Sequence, residues 1–301
     1  MRDDDVRASC FAALDVLQAK WGVDIPYSAL VQGFSFRGRR VPFLNRAYGI
    51  YRAAEAQRGP AALSVNSSFA QRRYQDEETP DGILYRYQDG PLDNHFNTWL
   101  RSAHTLDVPL VYFDGTRRNW YHPEYPVWVE RDFPEERSVL LTFGEMRGPY
   151  DERQPVHILD PIEKRYVVRR VKHRLHQVHF RGAVLDAYQT RCTICRLGET
   201  TLLDAAHITP DATPAGDPIV SNGLSLCTIH HRTFDPNLVG VTPDYEVRVS
   251  RRLLEEDDGP MLDLLKGFNR QPIHVPRQRI QRPDRERLAE RFERFVTASS
   301  S

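Results

Sequence analysis

The stretch that decides the fold of the second half of the chain runs from residue 191 to residue 235 and reads RCTICRLGETTLLDAAHITPDATPAGDPIVSNGLSLCTIHHRTFD. It contains a Cys-x-x-Cys pair, Cys192 and Cys195, and a later Cys-x-x-His pair, Cys227 and His230. Two short chelating pairs separated by a loop are typical of a closed tetrahedral Zn²⁺ site, because thiolate and imidazole are its preferred ligands. The spacing therefore predicts a structural Zn²⁺ at these four residues. The alternative is that the cysteines are small core residues beside an incidental histidine.

A closed four-ligand site carries no chemistry of its own, so the informative residues are the polar ones left over: His207, Asn222 and His231. His207 and Asn222 lie between the two predicted ligand pairs, and His231 directly follows the second pair. In this order the residues resemble the motif of the HNH endonucleases, also called the ββα-metal nucleases. The matching words are AlaHisIle at 206–208, SerAsnGlyLeuSerLeuCys at 221–227, and HisHis followed by PheAsp within 230–235. Within that family, roughly residues 176–250 look most like the nuclease domain of McrA-type, modification-dependent restriction enzymes.

The resemblance implies a role for each residue of the triplet. His207 matches the first histidine, the general base on the water that attacks phosphorus. Asn222 matches the central residue, which fixes the loop and orients that base. His231 matches the last histidine, which ligates a catalytic divalent cation, Mg²⁺ or Mn²⁺. These roles suit phosphodiester hydrolysis, because imidazole titrates near neutral pH and a metal with open positions can accept phosphate oxygen and water.

The chain departs from this pattern at one position. Many members of the family carry an acidic residue immediately before the first histidine as a second metal ligand, and here that residue is Ala206. The cation therefore needs another anion. Asp235 follows His231 by four residues, so on a helix the two side chains share a face, and Asp204 is the other nearby candidate. Both remain open, and Asp235 is equally well explained as a solvated or capping carboxylate.

Composition sets broad limits on the class of protein. The 301 residues favour two domains, and 40% hydrophobic content suffices for globular cores. The 41 basic and 41 acidic residues balance, so any contact with nucleic acid depends on local patches. No apolar run is long enough for a membrane span, and the acidic start of the chain lacks the apolar core of a signal peptide. Four cysteines, three of them predicted metal ligands, argue against a disulfide framework and favour the cytoplasm.

The first half of the chain is predicted to be an α+β domain, residues 1–160, built on a curved sheet or open barrel. Residues 4–20 have the apolar spacing of a helix that ends near Gly22, and residues 94–104 have that of a second helix. Short β-branched and aromatic runs lie between turn pairs such as Asp81-Gly82, Asp89-Gly90 and Asp114-Gly115. Its histidines, His95, His104 and His122, have no chelating spacing and are expected at the surface.

This domain is the expected DNA-recognition domain. Arginines adjoin aromatic residues in three clusters, at 34–40, 72–74 and 117–121. Such pairs suit phosphate contacts and stacking on a base, including a modified base flipped out of the duplex. The alternative is that the aromatics belong to the core and the arginines to a solvated rim. Residues 34–128 also resemble the N-terminal region fused to HNH domains in restriction enzymes, in the words TyrGlyIleTyrArg (48–52), LeuSerVal (63–65) and ValTyrPheAspGly through TyrProValTrpVal (111–129).

A basic linker is predicted at residues 161–180, as a last strand or an extended connector. It carries Lys164, Arg165, Arg169, Arg170, Lys172 and Arg174. Such a segment suits tracking of the phosphate backbone, although it is equally well explained as a solvated charge run. Residues 181–301 would then form the zinc-braced HNH domain. A helix over 179–190 leads into the first cysteine pair, one or two strands lie within 239–249, and a short helix spans 260–268. A closing helix over 283–296 presents Leu288, Phe292 and Phe295 on one face.

The leading hypothesis is a metal-dependent DNA endonuclease of restriction type that acts on double-stranded DNA, with methylated or hydroxymethylated cytosine as the recognised base. One site of this kind cuts one strand, so duplex cleavage implies a homodimer or two molecules acting together. Two alternatives remain: a zinc-stabilised DNA-binding protein with an inactive HNH site, favoured by Ala206, and an HNH nuclease that acts on RNA or single strands.

Overall fold

The structure is a computed structural model that describes residues 1–67, 69, 76–144, 161–257 and 259–300, and the statements below concern these residues. The chain divides into two compact units, Met1–Leu175 and His176–Ser301. The division falls inside the segment 161–180 that was predicted as a linker. Each unit is described by itself.

The first unit is strand-rich. Its described helices, before one that continues past the division, are α1 (Asp4–Trp21), α2 (Tyr27–Leu30) and α3 (His95–Thr105). Its described strands are β1 (Ile25–Pro26), β2 (Phe34–Phe36), β3 (Arg39–Val41), β4 (Ile50–Tyr51), β5 (Ser64–Asn66), β6 (Glu77–Thr79), β7 (Gly82–Arg86), β8 (Leu110–Arg117), β9 (Trp120–Phe133) and β10 (Ser138–Phe143). The main sheet has the order β4-β5-β8-β9-β10-β7-β6, with β1 paired to β9, and β2 and β3 form a separate hairpin. The pair β5–β8 is parallel and the other strand pairs are antiparallel.

Strand β8 is buried along its whole length because both faces of the sheet are covered. Successive side chains of a strand point to opposite faces, so alternate residues enter different cores. Val111 and Phe113 pack with α1 residues in one core, and Leu110 and Tyr112 pack with α3 residues in the other. The sheet is therefore the middle layer between α1 on one side and α3 on the other, and the predicted α+β class with a strand-rich first unit is confirmed.

The two helices predicted in this unit are confirmed. Helix α1 buries Val6, Cys10 and Leu14 and ends at Gly22, whose φ of 82° is accessible to glycine at no steric cost. Helix α3 buries Leu100 and Ala103 and begins at an Asn94 side chain that accepts a hydrogen bond from the Asn97 backbone N–H.

The expected turn at Asp114-Gly115 is wrong, because both residues lie inside β8. The β8–β9 hairpin turns four residues later, where Asn119 adopts a positive φ of 64°. Asn also tolerates the left-handed conformation, so the Asn-containing turn lies at the true end of the strand.

The surface prediction is wrong for His122, which is buried in β9. Its Nδ1 lies 2.7 Å from the Val23 carbonyl and its Nε2 lies 3.2 Å from the Glu124 carboxylate. Hydrogen bonds on both ring nitrogens offset the cost of burying a polar ring. The lack of chelating spacing says nothing about such hydrogen bonds, so it could not predict the burial of His122. His95 and His104 are exposed as expected.

The predicted strand or extended connector at 161–180 is also wrong, because α4 (Pro161–Ala187) is one helix through this segment. Val171, Leu175 and Val178 are buried at helical spacing, and this period outweighs the short local alternation around Tyr166. Of the predicted basic run, Arg174 donates hydrogen bonds to both carboxylate oxygens of Glu124, at 3.0 and 3.2 Å, and Lys172 donates to the Thr79 carbonyl. The charge of Arg174 is therefore partly neutralised within the first unit, and Lys172 is held by a backbone carbonyl.

The second unit holds the end of α4, a series of short strands and helices, and one longer helix at its end. They are β11 (Leu203–His207), β12 (Gly223–Cys227), α5 (Thr228–Phe234), β13 (Val239–Val241), β14 (Val247–Val249), α6 (Arg251–Glu255), α7 (Pro260–Lys266) and α8 (Arg285–Ser300). The predicted closing helix is confirmed, since α8 buries Leu288 and Phe295. In the described part of the chain, no helix has the length and apolar character required to cross a membrane.

Candidate functional site

The second unit contains a β-hairpin followed directly by a helix. Strands β11 and β12 pair antiparallel, with His207 opposite Gly223 and Leu203 opposite Cys227. Helix α5 begins at the residue after Cys227. His207 thus ends the first strand, Asn222 immediately precedes the second, and His231 lies in the helix. The hairpin register brings His207 and Asn222 to the same end of the sheet.

Asn222 is fully buried and closes the long loop that joins the two strands. Its side-chain oxygen accepts from the Thr209 backbone N–H at 2.8 Å, and its side-chain nitrogen donates to the carbonyls of Thr209 at 3.1 Å and Asp217 at 3.0 Å. Its own carbonyl accepts from the Ile208 N–H at 2.9 Å. These bonds hold the backbone directly after His207, so Asn222 fixes the position of that imidazole through the loop.

His207 lies against the end of α4. Its ring stacks on Phe180 with centroids 4.0 Å apart and planes 19° apart. Its Nε2 is buried and has no hydrogen-bond partner among the described residues, an arrangement that proteins avoid unless water, an ion or a substrate completes it. Burial lowers the pKa of His207, and Asp211, Asp204 and, more weakly, Asp235 counteract that lowering. The neutral ring, which can accept a proton, is therefore favoured near neutral pH.

His231 lies between the two carboxylates that the sequence left open as metal ligands. Its Nδ1 is 3.7 Å from an Asp204 oxygen, and its Nε2 is 3.5 Å from an Asp235 oxygen. Asp204 also lies 3.4 Å from the Arg181 guanidinium. Both carboxylates are more than half exposed, so solvent and ions reach this edge of the site. An imidazole and carboxylates at an open edge are a suitable ligand set for a divalent cation.

The four predicted ligands Cys192, Cys195, Cys227 and His230 form one cluster, and their ligand atoms all lie within 4.8 Å of one another. The Cys195 and Cys227 sulfurs are 3.8 Å apart, and His230 Nδ1 is 3.1 Å from Cys227 Sγ and 3.5 Å from Cys192 Sγ. Sulfurs bound to one tetrahedral Zn²⁺ at about 2.3 Å lie about 3.8 Å apart. The donor set and its spacing therefore fit one tetrahedral cation.

The crowded thiols also favour a cation. Hydrogen bonds to Cys195 and Cys227 raise the pKa of Cys192, so its thiolate needs a compensating charge. Burial lowers the pKa of His230, but hydrogen bonds to Cys195 and Cys227 outweigh it and raise the value to about 9. A bound metal ion removes both constraints, because it replaces the shared protons.

Gly223 sets the spacing between the hairpin and α4. A Cβ at this position would lie 2.4 Å from a Val184 methyl carbon and 3.0 Å from the Phe180 ring. Val184 is fully buried, so it has little room to move. The close approach of β12 to α4 at this point therefore requires glycine.

We expect Gly223→Ala to destabilise the second unit by about 1–3 kcal/mol, the usual cost of overpacking a tight core. Chemical denaturation followed by circular dichroism measures this change. Gly259→Ala is the matched control, because a Cβ there meets no atom within 4 Å. Equal stability of the two variants would contradict the close packing of β12 on α4.

Sequence reasoning missed two residues of the site. Phe180 supports the His207 ring, and Arg181 contacts Asp204 and donates to the Leu203 carbonyl at 2.8 Å. Both lie on α4, inside the segment 179–190 that is predicted as a helix. Their contacts with His207 and Asp204 join residues more than 20 positions apart, which no local pattern indicates.

A β-hairpin followed by a helix, beside a Cys₃His cluster, is the arrangement that the resemblance to the ββα-metal nucleases implies. Residues 192–242 match the family model described as HNH endonuclease. The chain thus carries an HNH endonuclease domain, and its class of reaction is hydrolysis of phosphodiester bonds.

A solved structure described as the modification dependent TagI restriction endonuclease is similar to this chain, with 19% identity, coverage of 78% of this chain and 81% of that chain, and a TM-score of 0.33. No curated protein matches the chain.

Proposed function

We propose that the protein is a metal-dependent DNA endonuclease of restriction type. The observation that carries the proposal is that His207, whose following loop is held by Asn222, interacts electrostatically with His231 within the domain that matches the HNH endonucleases. Double-stranded DNA is the proposed substrate, and a restriction role would place the protein in the cytoplasm. Since one such site cuts one strand, cleavage of a duplex would use a homodimer or two molecules in succession.

Each residue of the triplet has a distinct proposed role. His207 takes the proton of the attacking water, and its unpartnered Nε2 and lowered pKa suit a general base. Asn222 is a positioning residue, because its hydrogen bonds hold the loop directly after His207. His231 is a ligand of the catalytic cation. Bound Mg²⁺ or Mn²⁺ would supply charge neutralisation at the phosphate and at the leaving 3′ oxygen.

The Cys₃His cluster is the proposed site of a structural Zn²⁺, held by Cys192, Cys195, Cys227 and His230. Soft thiolates select Zn²⁺ over Mg²⁺ or Ca²⁺, and a closed ligand set leaves no position for substrate. His231 follows His230 directly on α5, so the structural cluster also determines where the catalytic ligand lies.

Of the two carboxylates beside His231, we propose Asp204 as the second ligand of the catalytic cation. Asp204 lies on β11, three residues before His207, whereas Asp235 follows the last residue of α5, so Asp204 is the carboxylate on the element that carries the proposed base. We expect Asp204→Asn to lower cleavage at limiting Mg²⁺ or Mn²⁺ by about 10–100-fold and to recover partly at high metal concentration.

The matched control is Asp235→Asn, which removes the other carboxylate beside the same imidazole. We expect a change of less than about threefold, within the range of an exposed ion pair. Titrations of cleavage rate against metal concentration separate the two variants. A larger defect in Asp235→Asn would reverse the assignment.

The alternative of an inactive HNH site is favoured by Ala206. That position is fully buried in the hydrophobic core of the second unit, where an acid would be desolvated and directed away from solvent. Asp204 instead places a carboxylate next to His231. The absence of an acid at position 206 is therefore weaker support for an inactive site.

We further propose that the first domain, residues 1–160, recognises DNA that carries a modified cytosine, methylated or hydroxymethylated. In support, arginine–aromatic pairs occur in two of the three predicted clusters: the exposed Arg37 over Phe36 at 5.0 Å and the buried Arg117 over the half-buried Trp120 at 3.9 Å. The third cluster, 72–74, lies outside the described residues. Within these clusters Phe34, Arg117 and Tyr121 are buried and contribute to the core.

The proposal is tested by incubating the full chain with modified and unmodified plasmids in Mg²⁺ or Mn²⁺. Cleavage of the modified plasmid alone is expected. Equal cleavage of both plasmids would refute modified-base recognition. Cleavage restricted to RNA or single strands would support the alternative of an HNH nuclease that acts on those substrates. Absence of cleavage together with normal zinc content would favour a DNA-binding protein with an inactive site.

A further inference from the structure

The first unit contains a cleft that the nuclease chemistry does not use. Its volume is about 550 Å³, within the range of small-molecule sites. The side chains of Trp21, Tyr27, Ser28, Arg46, Asn119 and Trp120 line it. Three of these are large aromatic residues, one is a cation, and two carry short polar groups. No acidic residue contributes to the described lining.

The walls of the cleft are held by backbone pairing. Strand β1 pairs with β9 so that Pro26 lies opposite Trp120, and the Tyr27 backbone N–H donates to the Asn119 carbonyl at 2.8 Å. Trp21, the last residue of α1, meets Trp120 edge to face with ring centroids 6.2 Å apart. The two indoles and the phenol are therefore brought together by three separate segments of the chain.

Each of the three aromatic rings of the cleft has a cation over it. The Arg46 guanidinium lies 5.1 Å from the centre of the Tyr27 ring, the Arg117 guanidinium lies 3.9 Å from that of Trp120, and the Lys20 Nζ lies 5.4 Å from that of Trp21. Arg117 is buried, whereas Arg46 is exposed, so the stacked Arg46 guanidinium keeps its N–H groups in one plane and available at its edge for a phosphate. Arg46 lines the cleft, which gives its opening a positive charge.

Aromatic faces next to an arginine match one nucleotide, because the base stacks and the phosphate pairs with the guanidinium. A cationic ligand would be repelled by Arg46, and a purely apolar ligand would leave the polar groups of Ser28 and Asn119 without partners. The charge of the lining therefore favours an anionic ligand that has a flat ring.

We infer that this cleft binds one unpaired nucleotide of a DNA strand, with the base against Trp120 and Trp21 and the phosphate at Arg46. The inference deepens the proposed recognition of DNA by the first domain and rests on that part of the proposed function. It does not depend on cleavage, because all the residues involved lie in Met1–Leu175 and outside the HNH domain.

The test measures binding of the full chain to a short fluorescent single-stranded DNA in EDTA, by anisotropy and by quenching of tryptophan fluorescence. We expect Trp120→Ala and Arg46→Ala each to weaken binding by about fivefold or more, and Trp120→Phe to retain most of it, because stacking needs only a flat ring. The tryptophan quenching should also fall in Trp120→Ala.

Matched controls remove the same side chains elsewhere in the first unit. Tyr48→Ala deletes an exposed aromatic that stacks on Phe96, and Arg86→Ala deletes an exposed arginine of β7. Both should bind like the parent chain. Arg46→Ala keeps the inference testable if Trp120→Ala fails to fold.

Unchanged affinity in both cleft variants, or no binding by the parent chain, would overturn the inference. A chain that binds through the cleft and cleaves nothing would refute the nuclease proposal and leave the inference standing. A chain that cleaves DNA while the cleft variants bind normally would refute the inference and leave the nuclease proposal standing.

Discussion

Replacing His207 with alanine is expected to lower the rate of DNA cleavage by about 10²–10⁴-fold, the usual contribution of a positioned general base. The physical reason is that His207, at the end of β11, has a buried ring nitrogen without a hydrogen-bond partner among the described residues, and this nitrogen can accept the proton of the attacking water. Single-turnover cleavage of a supercoiled plasmid at saturating Mg²⁺ or Mn²⁺ measures the change.

Burial lowers the pKa of His207, so the pH profile gives a second readout. A base acts in its neutral form, so the rate should rise with pH through the pKa of His207 and level off above it. The lowered value places this rise below about pH 6.5, the ordinary histidine value. In His207→Ala this acidic limb should disappear from the remaining activity.

His274→Ala is the matched control, because His274 is an exposed histidine of the same unit and contacts the site only through its backbone. It should cleave DNA at the parent rate. If His207→Ala retained most of the activity, the assignment of the general base would be wrong.

Removal of the proposed structural Zn²⁺ is expected to unfold the second unit. Structural Zn²⁺ sites contribute about 10–16 kcal/mol in small domains, which equals or exceeds the total stability of a typical domain, about 5–15 kcal/mol. The cluster joins the Cys192–Cys195 turn to the end of β12 and the start of α5, so its loss frees the three segments that carry the site. Cys192→Ser, or a strong chelator, should give loss of bound zinc together with a cooperative loss of structure in His176–Ser301.

Zinc content by elemental analysis and unfolding by circular dichroism measure this result. Cys10→Ala is the control, because Cys10 is buried in the first unit and is not a member of the cluster. It should keep the full zinc content and cost about 1–2 kcal/mol as a small core truncation. A Cys192→Ser protein that stays folded and keeps its zinc would contradict the predicted ligand set.

The chelating pairs and the elements around them could be predicted because their signals are local. Two ligands separated by two residues lie on one turn, so the spacing alone restricts where a shared ion can lie. The same holds for α1, α3 and α8, whose buried residues recur at helical spacing. The place of Asn222 in the motif marks it as a site residue. Its hydrogen bonds to Thr209 and Asp217 depend on the folded loop between β11 and β12, so the sequence does not predict them.

The errors arose where a local pattern competes with a longer-range one. Alternation over a few residues around Tyr166 favours a strand, but Val171, Leu175 and Val178 are buried at helical spacing and the segment is α4. The Asp114-Gly115 pair looks like a turn, yet it is held inside β8 by pairing with His122 and Tyr121 of β9. The burial of His122 depends on a carbonyl 99 residues away, which no local pattern reveals.

The sequence by itself predicts a Cys₃His cluster and a strand-rich first half, because chelating spacing and periodicity depend on neighbours along the chain. Its resemblance to the HNH motif implies a candidate site at His207, Asn222 and His231. Only the tertiary structure shows that Asp204 and Asp235 flank His231, that Phe180 stacks on His207, and that Trp21, Arg46 and Trp120 line one cleft. These relations join segments far apart in sequence. Their distances depend on how strands pair and helices pack, and that packing is a property of the whole fold.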